Sequence, residues 1–197
     1  MNALAQESVA LRARYDEEPS HSDHVSMLAL QLYDSLQPWH RLGKRSREIL
    51  HTAAVLHDIG WSQTPDGKGH HKWSARLIRE HPWKNLSRDE VAIVAHVARY
   101  HRKSPPAPEH DEFQALKASA QKTVMILGGI LRVADALDRT HSGKIVRAEA
   151  TVSRVNIVVR VEPSGPWEAE NAMFDNKRDM LQIIAERPVV CVTHDKS

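Results

Sequence analysis

Apolar residues in the first three quarters of the chain recur at steps of three and four, the spacing of an amphipathic helix. The clearest early stripe consists of Val25, Leu28, Ala29, Leu32 and Leu36. Similar patterns predict helices over 46–59, 70–81, 88–101 and 112–119. Ser46 is a plausible cap for the first of these. Ser87 and Glu90 form a capping box for the third, because a serine followed three residues later by glutamate satisfies free backbone N–H groups.

The segment 122–139 is apolar almost all round, which predicts a central, buried helix. Gly128 and Gly129 in its middle predict close packing or a bend. Asp135 interrupts the apolar run near its end, and a carboxylate in such surroundings needs a cation or a hydrogen-bond donor.

The pattern changes after about residue 143. Residues 147–162 alternate with the period of a strand and are rich in β-branched side chains, which predicts a hairpin. An amphipathic helix over 169–186 and a short strand over 188–192 follow. We therefore expect a mainly α protein: a helical bundle over 1–143 and a small α+β unit, ββαβ, over 144–197.

Charge and composition exclude several classes of protein. The chain has 27 basic and 25 acidic side chains, an excess too small to indicate binding to nucleic acid or to an anionic membrane. No apolar run approaches the length of about 20 residues that a membrane-spanning helix needs. The single cysteine, Cys191, excludes an intrachain disulfide and is expected to be a buried small residue rather than a nucleophile. A cytoplasmic protein is expected.

Histidine is the unusual component, with 13 residues in the chain. The dipeptide His-Asp occurs at 57–58, 110–111 and 194–195, but only His57 and Asp58 follow an apolar helix. Burying an imidazole and a carboxylate there requires compensation, by a metal ion or by ordinary hydrogen bonds. His21, His71 and His101 lie at the ends of predicted helices.

These histidines, together with Asp58 and Asp135, form a set of nitrogen and oxygen ligands without a thiolate. Such a set suits manganese, iron, nickel, zinc or magnesium, and it is large enough for two divalent ions.

The motifs that carry this chemistry also resemble a known family. The order HSDHV, then HDIG, then LRVADALD is similar to the HD superfamily of metal-dependent phosphohydrolases. More narrowly, HDIG, HHKWS, ARYHRKSPP and ILRVADALDRTH resemble the C-terminal HD domain of the exopolyphosphatase/guanosine pentaphosphate phosphohydrolase (Ppx/GppA) family. The resemblance covers roughly residues 15–145. It implies an HD-domain helical bundle, and a small α/β unit after that bundle is usual in the family.

The resemblance also implies which residues bind the ions. The residues matched to one ion are His21, His57, Asp58 and Asp135, and those matched to a second are Asp58, His71 and His101. His24 is the alternative to His21, and His96 the alternative to His101 if the helix register differs. Two positions depart from related patterns, because Trp73 and Tyr100 stand where relatives often carry histidine, which weakens a cyclic-dinucleotide phosphodiesterase interpretation.

Two classes of function follow. The first is a stand-alone metal-dependent phosphohydrolase for a nucleotide or another phosphomonoester or phosphodiester. Asp58 would act at the metal centre, and Arg102 and Lys103 would hold the reacting phosphate. Lys68, Lys72 and Arg139 are weaker candidates for that contact.

The second class is a non-catalytic regulatory or dimerisation module that binds a nucleotide or a partner protein. The chain lacks the glycine-rich phosphate loops of the actin-like module that performs polyphosphate hydrolysis in longer members of the family. A homodimer is expected under either hypothesis, and the α+β unit offers strand edges for pairing.

Overall fold

The computed structural model describes residues 2–16 and 19–194, and it shows a mainly α protein with a small sheet near the C-terminus. The helices are α1 (Ala3–Arg12), α2 (Pro19–His40), α3 (Lys44–Leu56), α4 (His70–Glu80), α5 (Arg88–Arg99), α6 (Asp111–Gln114), α7 (Ala118–Ala136), α8 (Glu168–Lys177) and α9 (Asp179–Ala185). A 3-10 helix, Ile59–Gln63, lies between α3 and α4. The strands are β1 (Ile145–Val152), β2 (Ile157–Pro163) and β3 (Val189–Thr193).

Helix α7 lies at the centre of the bundle and packs against α2, α3 and α5. Its residues from Ile126 to Ala134 are all buried, as the continuous apolar pattern predicts. The stripe on α2 is also confirmed, since Val25 and Leu28 are completely buried and the rest of the stripe faces the core. The capping box of α5 is formed by Ser87 and Glu90.

The C-terminal unit contains the predicted hairpin and final strand. Strands β1 and β2 pair antiparallel, and β3 adds to β2 in parallel, so the sheet order is β1-β2-β3. The outer edge of β1 faces α2. There, the backbone N–H groups of Ala148 and Ala150 donate hydrogen bonds to the side chains of Gln31 and Ser35.

Three local predictions differ from the structure. Helix α3 begins at Lys44 with Gly43 at the cap position, so Ser46 is not the cap. The predicted helix 112–119 is not continuous. Its first three residues belong to the short helix α6 (Asp111–Gln114), and its last two belong to α7, which begins at Ala118. The predicted helix 169–186 is interrupted at Arg178, and α9 starts at Asp179, whose carboxylate accepts a hydrogen bond from the next backbone N–H.

The hydrophobic core is continuous between the bundle and the C-terminal unit. A Cβ atom added at Gly129 would lie 3.0 Å from the backbone of Leu181, and one added at Gly128 would lie 2.7 Å from the side chain of Met180. The two glycines of α7 therefore permit close packing of α9, as predicted. The division into domains 1–143 and 144–197 stays a prediction, and residues 195–197 lie outside the described part.

Within the described ranges, no helix is both long enough and apolar enough to cross a lipid bilayer.

Candidate metal centre

Helix ends bring a group of histidines and aspartates together in the bundle. His21 lies in the first turn of α2, His57 is the residue that ends α3, and Asp58 follows it directly. His101 lies just beyond α5, and Asp135 belongs to the last turn of α7. Side chains at helix ends can project beyond the packed helix sides, so separate helices contribute to one cluster.

His21 and His57 face two carboxylates. The Nε2 atom of His21 lies 3.6 Å from Oδ1 of Asp135 and 3.9 Å from Oδ2 of Asp58. The Nε2 atom of His57 lies 3.6 Å from Oδ2 of Asp58 and 3.7 Å from Oδ1 of Asp135. The four side chains therefore direct two nitrogens and two oxygens at one point.

A second pair of histidines faces the other oxygen of Asp58. The Nε2 atoms of His70 and His101 lie 3.3 Å and 3.4 Å from Oδ1 of Asp58. The two oxygens of one carboxylate thus face different pairs of imidazoles. Asp58 therefore contacts both halves of the cluster.

The opposite ring nitrogen of each histidine is held by an oxygen acceptor. In His57, His70 and His101, Nδ1 lies 2.7, 2.8 and 2.6 Å from the backbone carbonyl oxygen three residues earlier. In His21, Nδ1 lies 2.8 Å from Oδ2 of Asp138. In a neutral ring, an acceptor at Nδ1 holds the hydrogen there and leaves the Nε2 lone pair for a cation, and a cation bound at Nε2 would replace the second proton that the raised pKa of His21 favours. Metal-binding histidines are oriented in this way.

Unpaired polar atoms show that the cluster suits a cation. The atoms Nε2 of His21, Nε2 of His57 and Oδ1 of Asp58 are buried and have no hydrogen-bond partner. Buried polar atoms are rarely left in this state. Two groups have ligand atoms close enough to share an ion, and they consist of His21, His57 and Asp135, and of His57, Asp58 and His101. The residues present fit divalent metal ions with nitrogen and oxygen ligands.

The electrostatics of the cluster depend on its buried carboxylates. Burial lowers the pKa of His21, but its contacts with Asp135 and Asp138 outweigh burial and raise that pKa to about 10. Burial raises the pKa of Asp135, whereas the ammonium group of Lys177 and the neighbouring imidazoles bring it well below its usual value. Burial, helped by the charges of His57 and Lys177, holds the pKa of His101 well below its usual value. The cluster therefore combines ionised carboxylates with His101 in its neutral, metal-binding form.

The structure brings five of the six predicted ligands together, and it places His70 where the sequence argument placed His71. Adjacent residues of a helix point in directions that differ by about 100°, so only one of the pair can face Asp58. The His71 ring lies beside that of His70 with a centroid separation of 5.8 Å, and its Nδ1 is buried without a partner.

The two alternative ligands lie elsewhere. His96 stacks on Tyr100, and His24 lies beside Gly143.

His70 is positioned by the 3-10 helix that precedes α4. A Cβ atom at Gly60 would lie 2.1 Å from the carbonyl oxygen of His70 and 2.5 Å from the backbone nitrogen of Ser74, so only glycine permits this approach. The backbone N–H of Gly60 also donates to the hydroxyl group of Ser74. The indole of Trp61 stacks on the imidazole of His70 at 4.5 Å. These contacts fix the start of α4 against Asp58.

Sequence reasoning missed two residues that support the ligands. Asp138 accepts hydrogen bonds from His21 and from the backbone of Gly143, and its signal was its spacing of three residues from Asp135. Lys177, on α8, donates hydrogen bonds of 2.8 Å to Oδ2 of Asp135 and to the carbonyl oxygen of His101. No local pattern identifies Lys177, because it is distant in sequence from both partners.

A pocket of about 530 Å³ opens over the cluster. His21 and Asp58 line it from the metal side, and Tyr15, Trp61 and His141 are among its other lining residues. The ring of His141 is stacked on that of His21 with centroids 3.7 Å apart.

The cations predicted to hold phosphate line other surfaces. Arg102, Lys103 and Lys72 line a separate pocket, Lys68 is exposed and pairs with Asp66, and Arg139 is exposed. Cys191 lies in β3, and burial raises its pKa to about 12, which disfavours a thiolate nucleophile.

Comparison with known proteins gives a family for the chain. Residues 6–180 match the family described as Ppx/GppA phosphatase, domain III. The chain belongs to this family. The Ppx/GppA match includes every residue of the candidate metal centre, as well as Lys177 in the C-terminal unit. A search of curated proteins found no match.

Proposed function

We propose that this Ppx/GppA domain III protein is a metal-dependent phosphohydrolase of the HD type. It would cleave a phosphomonoester or phosphodiester with a water molecule activated by metal. The observation that carries the proposal is the shared orientation of His21, His57, His70 and His101. Each has Nδ1 bound to an oxygen acceptor and Nε2 directed at Asp58 or Asp135. Ordinary core histidines have no reason to share this orientation around two carboxylates.

Two divalent ions would be held. One would bind His21, His57, Asp58 and Asp135, and the other would bind Asp58, His70 and His101. When bound, such ions polarise a phosphoryl oxygen and lower the pKa of a water molecule toward neutrality. The protein's own contribution is to keep the imidazoles in the required tautomer and to hold Asp58 with one oxygen toward each site.

The pocket over the cluster supports a small organic phosphate as the substrate. Its wall includes the aromatic residues Tyr15 and Trp61, and Trp61 is 47% exposed. Aromatic rings beside a phosphate-cleaving centre suit a substrate with a flat organic group, such as a nucleotide. The phosphate group would lie next to His21 and Asp58, and the organic group would contact the wall.

Metal content per chain tests the proposal first. Protein purified without a histidine tag is measured by mass spectrometry, and the wild type is compared with the double variant His57→Ala/Asp58→Ala. We expect about two equivalents of transition metal in the wild type and a loss of both in the double variant. Hydrolysis of a panel of nucleotides and phosphate esters should disappear in the same variant.

A matched control carries the same two changes away from the cluster, His51→Ala/Asp34→Ala. It should keep its metal and its activity. If the wild type remains free of metal after reconstitution with manganese, iron, nickel and zinc, the enzyme proposal is wrong.

The description of the matched family as the third domain of a phosphatase favours one alternative. As an accessory module, the chain would bind a nucleotide or a partner, such as a second copy of itself, without hydrolysing phosphate. In that case the wild type would hold metal in a structural role. The double variant would then change assembly or stability, and no hydrolysis would be found with any phosphate ester.

A further inference from the structure

A second pocket of about 350 Å³ lies beside the start of α4 and the segment after α5. Its lining is basic and includes Lys72, Arg99, Arg102 and Lys103. None of the side chains that line it is a carboxylate. A concave surface with several cations and no acidic group is suited to an anion.

Most of these cations lack an internal partner. Lys72, Arg102 and Lys103 form no ion pair within the described ranges, 2–16 and 19–194. Arg99 lies 3.5 Å from Glu112, a carboxylate that also pairs with Arg79 at 2.9 Å. Positive charge in this pocket therefore exceeds what neighbouring side chains neutralise.

Two histidines of the lining add further polar groups. His71 is 7% exposed, and its Nδ1 atom is buried without a hydrogen-bond partner. The Nδ1 atom of His110 accepts from the backbone N–H of Ala107 at 3.2 Å and lies 2.9 Å from the hydroxyl group of Tyr100. The proton of the neutral His110 ring is therefore on Nε2, which is a donor. His71 and His110 thus add imidazole groups to the cationic lining of the pocket.

The backbone around the pocket is held in a defined shape. Lys103 has a φ of 64°, which is unusual for a residue other than glycine. Its carbonyl oxygen and that of Tyr100 accept hydrogen bonds of 2.7 Å and 3.0 Å from the buried guanidinium group of Arg132. Asp179 fixes that guanidinium group through both carboxylate oxygens. Two of the cations, Arg102 and Lys103, therefore lie on a segment that Arg132 holds in place.

We propose that this pocket is a binding site for a phosphate group, separate from the metal centre. His70 is directed at Asp58, whereas the adjacent His71 lines the basic pocket, so the start of α4 divides the two sites. The site binds through cationic side chains and does not depend on bound metal. This inference goes beyond the proposed hydrolysis.

Calorimetric titration of metal-depleted protein tests the proposal, because failure of the metal centre cannot affect that result. Inorganic phosphate is the first probe, at low ionic strength. We expect one saturable site in the wild type and binding weakened by about tenfold or more in Arg102→Met, which keeps the stem and removes the charge. Arg154→Met is the matched control, because Arg154 is exposed on the hairpin turn.

Lys103→Asn provides a second variant if Arg102→Met does not fold, since asparagine tolerates a positive φ. It should weaken phosphate binding in the same direction. The proposal is overturned if phosphate shows no saturable binding to the wild type. Equal binding by the wild type and a folded Arg102→Met or Lys103→Asn protein would also overturn it.

A parallel titration with adenosine monophosphate distinguishes two ligands for this site, a phosphorylated organic molecule and the free phosphate anion. Tighter binding than inorganic phosphate, lost in Arg102→Met, assigns the site to a phosphorylated organic molecule. Equal or weaker binding assigns it to the free anion. Both outcomes support a phosphate site.

Discussion

Gly60 determines how closely the 3-10 helix approaches α4, and hence where His70 lies. The added methyl group of an alanine at this position would meet backbone atoms of His70 and Ser74, which cannot rotate away as a flexible side chain could. The start of α4 would have to move away from Asp58. A substitution at Gly60 should therefore affect both the stability of the fold and the position of His70.

We therefore expect Gly60→Ala to lower the free energy of unfolding by about 2 kcal/mol, as overpacking does elsewhere. Metal content should fall toward one equivalent, because His70 would leave its position beside Oδ1 of Asp58. Urea denaturation and mass spectrometry provide the two measurements. Gly165→Ala is the control, since nothing lies within 4 Å of a Cβ atom there. Unchanged metal content in Gly60→Ala would show that His70 is not a ligand.

The difference between His70 and His71 shows what a residue pattern can establish. The sequence HHKWS predicts a histidine near the second cation site, but either neighbour satisfies that pattern. The choice depends on the rotation of α4 about its axis, which the contacts of Gly60 and Trp61 determine. Those contacts are tertiary and have no signature in the local sequence.

At the scale of elements, α8 contributes to the metal centre through Lys177. Its ammonium group lies 2.8 Å from Asp135, a proposed ligand on α7, and 2.8 Å from the carbonyl oxygen of His101 beyond α5. Its side chain is 13% exposed. The C-terminal unit therefore supplies a cation to a carboxylate that would otherwise face only imidazoles.

Lys177→Met should destabilise the metal-free protein by about 3 kcal/mol, because a buried carboxylate loses its cationic partner. The loss should be smaller when metal is bound, since an ion at the site also neutralises Asp135. Urea denaturation with chelator and with excess manganese measures both values. Lys122→Met, an exposed position on the same helix as Asp135, should change neither. An equal loss with and without metal would contradict this electrostatic role.

The starts of α3 and α5 are joined by an ion pair that makes stability depend on pH. Arg45 donates to both carboxylate oxygens of Glu90 and lowers the pKa of Glu90 from 4.5 to about 2. A carboxyl group with a lower pKa in the folded state stabilises the protein when ionised. That contribution is present above about pH 4.5 and is lost as the pH falls toward about 2.

Glu90→Gln should reduce stability at neutral pH by about 1 kcal/mol or less, because Arg45 is partly exposed and glutamine preserves the capping box. The difference from the wild type should shrink as the pH falls below about 4.5. Melting temperatures of both proteins over this range test the prediction. Glu109→Gln, in an exposed loop, should show no such pH-dependent difference. A constant difference at every pH would exclude the ion pair as the cause.

For the whole molecule, the main question is whether the bundle and the C-terminal unit fold separately. Their shared core argues against it. Phe174, Met180 and Leu181 are buried, and α7 carries glycines where α9 approaches. Removing α8 and α9 would expose one side of the most apolar helix in the chain.

A protein truncated after residue 143 should therefore lose cooperative unfolding and bind a hydrophobic dye, in contrast to the full chain. Calorimetry and dye fluorescence test this expectation. A cooperative transition in the truncated protein would show that the bundle is an independent domain.

Most of the architecture was predictable from the sequence because periodicity reports burial directly. The stripe on α2, the buried α7 and the alternating hairpin each bury the faces that their patterns indicate. The proposed ligand roles of His21, His57 and Asp58 rest on the family resemblance of motifs in a particular order and spacing. Asp138 and Lys177 escaped prediction because their roles depend on where separate helices end in space.

One edge of the small sheet is closed. The side chains of Gln31 and Ser35 occupy hydrogen-bonding positions along β1, while β3 forms the other edge of the three-stranded order. The start of β3 is occupied as well, because the backbone N–H of Val189 donates to Gln182 and its carbonyl oxygen accepts from Arg178. A strand from another molecule would meet bound backbone groups at both edges, which protects the sheet against growth into a fibre.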